Sequence, residues 1–250
     1  MYLGRITRPK VESLDRETVF LIPTGSIEQH GQHLPLGTDT LLVSKVAEAV
    51  EARLSDQVVV TPPIWLGASG HHLDFAGTLS AQMTTYMANL TDVIESLARH
   101  RFRRFFVLNG HGGNTEPNSV TLRSIKERRP ELMLAHMLYA STSRPEIAAL
   151  LEGPTKEIRH ACEAETSLML HLYPDLVHMN LARDDGLEPH PPIPGLISTF
   201  REQTEEGSYG YATLATAEKG RLIFEACVRN VTVAVEQMST TLSFIGESSG

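Results

Sequence analysis

The stretch VFLIPTGSIEQHGQHLPLGTDT, residues 19–40, determines how the rest of the chain can be arranged. Its apolar start predicts a buried strand, and residues 41–54 have the apolar spacing of a helix. Glu28, His30 and Asp39 therefore lie in a connection that is rich in glycine and proline, at the carboxyl end of a strand. In open α/β sheets this edge is where ligands bind.

Glu28, His30 and Asp39 have the side-chain chemistry of a metal site. Glu28 and His30 are two residues apart, so an extended backbone points both side chains to the same side. A carboxylate with an imidazole suits zinc, manganese or iron, and a carboxylate can also bridge two such ions. This stretch alone leaves open a polar turn in which Asp39 caps the following helix and the histidines are solvated.

Length and composition limit the classes of protein to which the chain can belong. Its 250 residues suffice for one large α/β domain, residues 1–250, and we find no linker or internal repeat that would divide it. The net charge of −8 argues against nucleic acid or an anionic membrane as a partner. Cys162 and Cys227 lack CxxC spacing, which favours a reducing compartment. Because no stretch has signal-peptide or membrane-spanning character, we expect a cytoplasmic protein.

Apolar runs that alternate with amphipathic segments predict the fold. In chain order, the predicted elements are strand 18–23, helix 41–54, strand 58–61, helix 80–100, strand 104–108, helix 115–129, strand 132–138, a helix that opens at 160–167 and a closing helix 216–238. Strands that alternate with helices of this length form a parallel sheet covered on both faces. We therefore predict an α/β three-layer sandwich, with a mainly parallel central sheet flanked by helices and an irregular excursion over residues 184–210.

A second polar group follows the predicted strand 104–108. The sequence NGHGGN, residues 109–114, places the imidazole of His111 at the carboxyl end of this strand, beside glycines that let the backbone approach another group closely. It is not a phosphate loop, because it lacks the Gly-Lys-Ser/Thr ending of that motif. A glycine-rich turn with an incidental histidine is the alternative.

A third polar group, HACEAETS, occupies residues 160–167. On a helix His160 and Glu163 share a face because they are three residues apart, which makes Glu163 the candidate metal ligand. Glu165 points to roughly the opposite side and is a candidate for orienting another group. An acidic first helical turn that complements the helix dipole is the alternative, although it does not explain the histidine.

A long loop, WLGASGHHLDFAGT, covers residues 65–78 and contains the only tryptophan of the chain. Long loops in compact domains are usually functional or disordered, and the aromatic content favours a functional loop. His71 and His72 are therefore candidates for binding substrate. The alternative is a surface loop that Trp65 and Phe75 anchor, with the histidines in a capping or subunit-contact role.

Taken together, these groups resemble the motifs of the creatininase family of metal-dependent amidohydrolases. The matching segments are GSIEQHGQH at residues 25–33 with Asp39, FAGT at 75–78, NGHGGN at 109–114 and HACEAETS at 160–167. The resemblance covers most of the chain and rests on several motifs in the same order.

The resemblance implies a site with two divalent metal ions, for which zinc, manganese and iron are the candidates. The ligands that it implies are Glu28, Asp39 and His111 for one ion, and His30, Asp39 and Glu163 for the other, with Asp39 bridging. It also implies that His160 transfers a proton or contacts the substrate. The family further suggests a small-molecule substrate and a homo-oligomer, often a hexamer.

Departures from creatininase itself argue against creatinine as the substrate. The glycine-rich loop of creatininase reads His-Tyr-Glu-Asn, and its glutamate binds the second metal, whereas this chain has Gly113 at that place. Other family members use the glutamate of a His-x-x-Glu motif, which Glu163 matches. Creatininase also has a lid tryptophan just upstream of the position of His160, and this chain has none there. Ala76 stands where the family commonly has proline.

The function that this resemblance implies is hydrolysis of a small cyclic amide or formamide at a two-metal site. A metal-bound water would attack the carbonyl, and His160, backed by Glu165, would pass a proton to the leaving nitrogen. The backbone amide of Gly112 or Gly113 would hold the oxyanion, and Glu163, as a ligand, completes the predicted catalytic set. Within the family, the alternatives are C–C hydrolysis of a ketocyclitol ring and cleavage of a cofactor-precursor peptide. A catalytically inactive metal-binding scaffold is the alternative outside enzymes.

Overall fold

The computed structural model describes residues 1–187, 193 and 195–241. Within these residues the strands are β1 (Val19–Thr24), β2 (Val58–Val60), β3 (Arg104–Asn109) and β4 (Met133–Leu138). All neighbouring pairs run parallel, and the strand order in the sheet is β2-β1-β3-β4. The two strands that precede the first two polar groups, β1 and β3, are therefore adjacent at the centre of the sheet.

Helices connect the strands and close the chain. They are α1 (Arg8–Glu12), α2 (Thr38–Arg53), α3 (Met83–Ala98), α4 (Thr115–Arg128), α5 (Arg144–Leu150), α6 (Glu163–Leu172) and α7 (Ala217–Thr240). Among the described residues, no helix combines the length and the apolar character that crossing a bilayer requires.

Alternating side chains of the strands build two hydrophobic layers, one on each face of the sheet. Val19 and Leu21 of β1 pack in a cluster with residues of α2, α6 and α7. Phe20 and Ile22 point to the other face and pack in a cluster with residues of α3 and α4. All four side chains are fully buried, and burial of each contributes roughly 1.5–3 kcal/mol. The predicted three-layer α/β sandwich with a parallel central sheet is confirmed.

The ends of β1 and β3 bring the first two polar groups together. The hydroxyl of Thr24 donates to Asn109 Oδ1 at 3.1 Å, and the amide of Gly110 donates to the carbonyl of Thr24 at 2.7 Å. A Cβ at position 110 would lie 2.6 Å from the carbonyl oxygen of Asp39 in the first turn of α2. Glycine is therefore required at position 110, because the end of β3 and the start of α2 approach so closely.

Helix α6 begins later than its sequence suggested. Cys162 is the N-cap with an extended backbone, and Ala161 has a φ of 48°, in the left-handed region. His160 thus precedes the helix, so the rule that residues three apart share a helix face does not relate it to Glu163.

The excursion over residues 184–210 is irregular where the structure describes it, and residues 188–192 and 194 lie outside the described part. Asp185 and Gly210 exchange backbone hydrogen bonds of 3.2 and 2.8 Å, so the two ends of the excursion meet. A short 3₁₀ turn, Phe200–Glu202, lies within it. This turn places an aromatic ring over the polar groups at the edge of the sheet.

Candidate metal centre

Three buried side chains from the first two polar groups form a cluster at the carboxyl edge of the sheet. His111 Nδ1 lies 3.2 Å from Glu28 Oε1 and 3.1 Å from Asp39 Oδ2. Glu28 follows β1, Asp39 lies in the first turn of α2 and His111 follows β3. Potential ligand atoms of all three lie within 4.8 Å of one another, so the group could hold a metal ion.

A second group adjoins the first, and Asp39 lies between the two. His30, His160 and Glu165 each offer a ligand atom within 4.8 Å of the others. Asp39 faces both groups, because its Oδ1 lies 3.2 Å from His30 Nε2 while its Oδ2 faces His111. The geometry is that of one carboxylate between two neighbouring sites.

Hydrogen bonds to backbone carbonyls determine which ring nitrogen of His30 and of His160 faces the carboxylates. His30 Nδ1 donates to the backbone carbonyl of Glu28 at 3.1 Å, which leaves its Nε2 towards Asp39. His160 Nε2 donates to the carbonyl of Gln29 at 2.7 Å, which leaves its Nδ1 towards Glu28. Such carbonyl contacts fix the tautomer and orientation of a metal-binding imidazole.

His111 is oriented in the same way by the long loop at residues 65–78. Its Nε2 lies 3.3 Å from both the carbonyl oxygen of Ala68 and the hydroxyl of Ser69. With its hydrogen on Nε2, the ring presents Nδ1 to Glu28 and Asp39.

Several oxygens of the cluster are buried without a hydrogen-bond donor. Both carboxylate oxygens of Glu28 and Oδ2 of Asp39 have no hydrogen-bond partner among the described residues. Burying a carboxylate without compensation is costly, so such oxygens need a cation. Carboxylates with imidazole nitrogens 3.1–3.5 Å away are a donor set that suits a borderline divalent ion, and the residues therefore fit one.

Without a metal the cluster holds protons instead. Burial lowers the pKa of His30, but Asp39 outweighs this effect and raises it to about 9. Burial likewise lowers the pKa of His111, yet Glu28 and Asp39 raise it well above its ordinary value. Burial raises the pKa of Glu165 to about 8. A divalent ion would supply positive charge in place of these protons, which is how metal binding releases protons.

We expect the metal-free protein to lose stability as the pH rises from 6.5 to 9. The folded pKa values of His30, His111 and Glu165 lie above those of the unfolded chain, so the folded state binds more protons in this window. The free energy of unfolding should fall by on the order of 3 kcal/mol, measurable as a decrease in Tm by calorimetry. The zinc-loaded protein should not show this decrease, and a metal-free Tm that rises across the window would contradict the account.

Glu163 does not belong to this cluster, so the sequence-based ligand set needs a correction. Its Oε1 accepts from the amide of Glu152 at 2.9 Å and from Lys219 Nζ at 2.6 Å, and its Oε2 accepts from the amide of Gly153 at 3.0 Å. Both oxygens thus have hydrogen-bond donors, and Oε1 forms an ion pair with Lys219. Glu165, and not Glu163, offers a ligand atom within 4.8 Å of those of His30 and His160, because α6 begins at residue 163 and His160 lies outside it.

A cavity of about 300 Å³ opens over the cluster. The predicted substrate-binding residues His71, His72, Gly112 and Gly113 all line it, as does His160. His72 is buried, and burial lowers its pKa to about 3, so its imidazole is neutral near pH 7.

Gly113 is required by close packing beside His111. A Cβ at this position would lie 2.5 Å from the carbonyl oxygen of Ala68 and 2.5 Å from His111 Nε2. The departure from the His-Tyr-Glu-Asn loop therefore has a physical reason, since a glutamate at position 113 would collide with the loop that orients His111.

Phe200 is a cavity residue that sequence reasoning missed. Its ring stacks on His72 with centroids 4.1 Å apart and meets the ring of His160 edge-on at 4.6 Å. It lies in the irregular excursion, where no periodicity indicates which side chain returns to the sheet edge. No signal in the sequence indicated its position over the histidines.

Comparison with known proteins finds relatives that match most of the chain. The family model described as "Creatininase: Creatinine amidohydrolase" matches residues 4–235. Creatinine amidohydrolase of Pseudomonas putida is 30% identical over 95% of this chain and 96% of its own length. Mycofactocin precursor peptide peptidase of Mycobacterium tuberculosis is 35% identical over 92% of this chain and 90% of its own. The 3-dehydro-scyllo-inosose hydrolase of Thermotoga maritima is 30% identical over 90% and 79%, respectively.

The fold is also similar to that of solved structures. The crystal structure of creatinine amidohydrolase (creatininase) superposes with a TM-score of 0.83 at 30% identity, covering 96% of this chain and 98% of the other. Family model, relatives and fold agree over nearly the whole length, and the chain belongs to the creatininase family.

Proposed function

We propose that this hydrolase is a two-metal enzyme that cleaves a C–N amide bond. One divalent ion would be held by Glu28, Asp39 and His111. The other would be held by His30 and Glu165, which form a group with His160, together with Asp39, whose Oδ1 lies 3.2 Å from His30 Nε2. The observation that carries the proposal is the position of Asp39, whose two oxygens face His111 on one side and His30 on the other. Zinc, manganese and iron all suit this donor set.

The chain's own residues supply the remaining chemistry. Two such ions would acidify a bound water and polarise a carbonyl. His160 is held by its Nε2, and burial lowers its pKa, so its free Nδ1 can accept a proton and return it to the leaving nitrogen. Gly112 and Gly113 line the cavity beside His111, where their backbone amides are candidates to contact the substrate oxygen. Phe200 covers the histidines and limits the access of water.

Activity on a panel of amides, before and after chelation, tests this proposal. The panel contains creatinine, formamides, lactams and N-acyl amino acids, and zinc, manganese and iron(II) are added back separately. We expect hydrolysis of at least one class, its loss on chelation and its return with a metal. Metal binding without hydrolysis of any amide would favour the inactive scaffold or C–C hydrolysis of a ketocyclitol ring. Hydrolysis that survives complete removal of metal would contradict the mechanism.

We also propose that the protein forms a homo-oligomer and is located in the cytoplasm. Light scattering tests the homo-oligomeric assembly.

A second candidate is an amide substrate that carries an apolar group and a carboxylate, as a peptide end does. The cavity lining also includes Leu138, Ile147 and Ile158, apolar side chains that a small polar ring would leave in contact with water. Arg144 lines the cavity too, and its exposed guanidinium forms no ion pair with any of the described residues. The turn that bears Arg144 is fixed, because Asn230 donates to the preceding carbonyl and hydroxyl groups at 3.2 and 3.0 Å.

The Arg144→Gln variant tests this candidate. We expect the parent enzyme to prefer N-formyl-leucine over N-formyl-leucinamide, and the variant to lose about 10- to 100-fold in kcat/KM for the acid alone, through KM. Arg144→Lys should keep part of the preference, and Arg99→Gln, at an exposed position of the other helical layer, should keep all of it. Equal activity of the parent on both compounds would exclude this candidate.

A further inference from the structure

The side chain of Gln29 has a fixed orientation. The backbone N–H of Gly31 donates to Gln29 Oε1 at 3.0 Å. A backbone amide can only donate, so the atom that it meets must be the oxygen, and the NH₂ group lies on the other side. This NH₂ nitrogen lies 2.9 Å from His72 Nδ1, and both side chains are buried.

His72 is the acceptor for this NH₂ group. The same nitrogen also lies 3.1 Å from His160 Nε2. However, His160 Nε2 lies 2.7 Å from the carbonyl oxygen of Gln29 and must carry a hydrogen to make that contact. A nitrogen that already donates cannot accept, so Gln29 donates to His72 Nδ1.

The direction of this hydrogen bond determines what His72 presents to the cluster. A neutral imidazole that accepts at Nδ1 carries its hydrogen on Nε2. His72 Nε2 lies 3.4 Å from Glu28 Oε1, one of the buried oxygens without a hydrogen-bond partner. His72 therefore points an N–H group, and not a lone pair, at Glu28. By proximity alone, Glu28, His72 and His160 could also hold a metal, but a metal ligand needs the lone pair.

Packing from the excursion holds the amide and the ring in place. Gly207 has a φ of 85°, and a Cβ there would lie 2.1 Å from Gln29 Oε1, so the backbone lies directly against the amide. Phe200 stacks on the ring of His72 with an angle of 25° between the planes. Neither side chain has room to turn over without displacing the excursion.

We propose that Gln29 is a positioning residue that keeps the hydrogen of His72 on Nε2. It thereby points the N–H group of His72 Nε2 at the carboxylate of Glu28, 3.4 Å away, and excludes His72 from metal coordination. The proposal rests on the proposed function only in so far as Glu28 is a metal ligand. The hydrogen position itself is a property of the chain with or without metal.

Long-range ¹H–¹⁵N correlation spectra of the imidazole rings test the proposal directly. Spectra are recorded on the metal-free and the zinc-loaded protein, and the His72→Gln variant identifies the resonances of His72. We expect a hydrogen on Nε2 and a free Nδ1 in both states. On addition of zinc, the metal-facing nitrogens of His111 and His30 should shift, whereas His72 should keep its pattern. A hydrogen on Nδ1 of His72 in the parent protein, or a zinc-dependent change of its Nε2, would overturn the proposal.

The Gln29→Glu variant gives a second, nearly isosteric test. A carboxylate in place of the amide can only accept, so a hydrogen should appear on His72 Nδ1. We expect kcat/KM of the zinc enzyme to fall by about 10- to 100-fold, as is typical for groups that orient metal ligands, while zinc content per chain is retained. Gln57→Glu is the matched control, because Gln57 is exposed, lies far from the site and accepts a hydrogen bond from Ser239 that a glutamate can also accept. It should change neither the spectrum of His72 nor the activity. A folded Gln29→Glu protein that keeps the parent spectrum of His72 would contradict the proposal.

The two proposals can fail separately. A protein that takes up zinc but hydrolyses no amide would contradict the proposed function. The ¹H–¹⁵N spectrum of the unmutated protein would still show which nitrogen of His72 carries the hydrogen. Conversely, full metal-dependent activity with a hydrogen on His72 Nδ1 would contradict only the proposed role of Gln29.

Discussion

The Glu165→Gln variant is expected to lose the second metal ion and at least about 100-fold in kcat/KM. Groups that only orient metal ligands already contribute about 10- to 100-fold to metal affinity or activity. Loss of a ligand itself should therefore reduce both by at least as much. Burial raises the pKa of Glu165 to about 8, so without metal this carboxyl group is neutral at pH 7. A glutamine amide is also neutral and can still accept the hydrogen bond from the amide of Ala161. The stability of the metal-free protein should therefore change by less than about 0.5 kcal/mol.

The matched control is Glu163→Gln, two residues earlier on the same helix turn. This change removes a buried ion pair with Lys219, which then keeps its contacts with the exposed Glu152 and with the carbonyl of Leu214. We expect a loss of about 2–4 kcal/mol in the free energy of unfolding, with metal content and kcat/KM retained. Metal analysis, calorimetry and kinetics on both variants separate the two roles. The opposite pattern, with activity lost only in Glu163→Gln, would restore the ligand set inferred from sequence.

The Asp39→Asn variant should have the largest effect on activity, because Asp39 faces both metal groups. An amide has one oxygen and cannot bridge two cations as a carboxylate does, so both sites should weaken together. We expect a loss of at least about 1,000-fold in kcat/KM and less than one tightly bound metal per chain. Elemental analysis after dialysis, combined with kinetics at saturating zinc, measures both quantities.

Asp39→Asn should also destabilise the metal-free protein. Although burial raises the pKa of Asp39, His30 and His111 outweigh it and hold the pKa well below its ordinary value. The loss of this charge would leave two buried imidazolium groups with less compensation, at a cost of about 3 kcal/mol. A variant that keeps two metals and full activity would show that Asp39 does not bridge the two sites.

The sequence was sufficient for the fold and for most of the cluster. Strand β1 and strand β3 are short apolar runs that end in polar, glycine-containing loops, and parallel strands place such loops at one edge. The family resemblance implied the grouping of Glu28, Asp39 and His111, and the adjacent ends of β1 and β3 bring these three side chains together. In the structure Gly110, in the loop after β3, packs directly against the backbone of Asp39 in the first turn of α2.

The exchange of Glu163 and Glu165 could not be predicted from periodicity. Helical spacing applies only where a helix exists, and the left-handed backbone at Ala161 with the extended N-cap at Cys162 places His160 outside α6. From the first turn of α6, Glu165 reaches back towards His160, whereas Glu163 turns to Lys219 on the closing helix. That lysine is 56 residues away in sequence, and no local pattern links the two.

Phe200 and the role of Gln29 also depended on tertiary structure. Phe200 belongs to an excursion whose ends are joined by Asp185 and Gly210, and its position over His72 follows from that closure. Gln29 was part of the first motif, but its contact with His72 joins two loops that are 43 residues apart.

Anomalous diffraction from crystals of the zinc-loaded protein tests the central claim most directly. The account predicts two peaks per chain, each about 2.0–2.2 Å from its protein ligands. One peak should contact Glu28, Asp39 and His111 Nδ1, and the other His30 Nε2, Asp39 and Glu165. A single peak, or a peak coordinated by Glu163 or by His72, would contradict it.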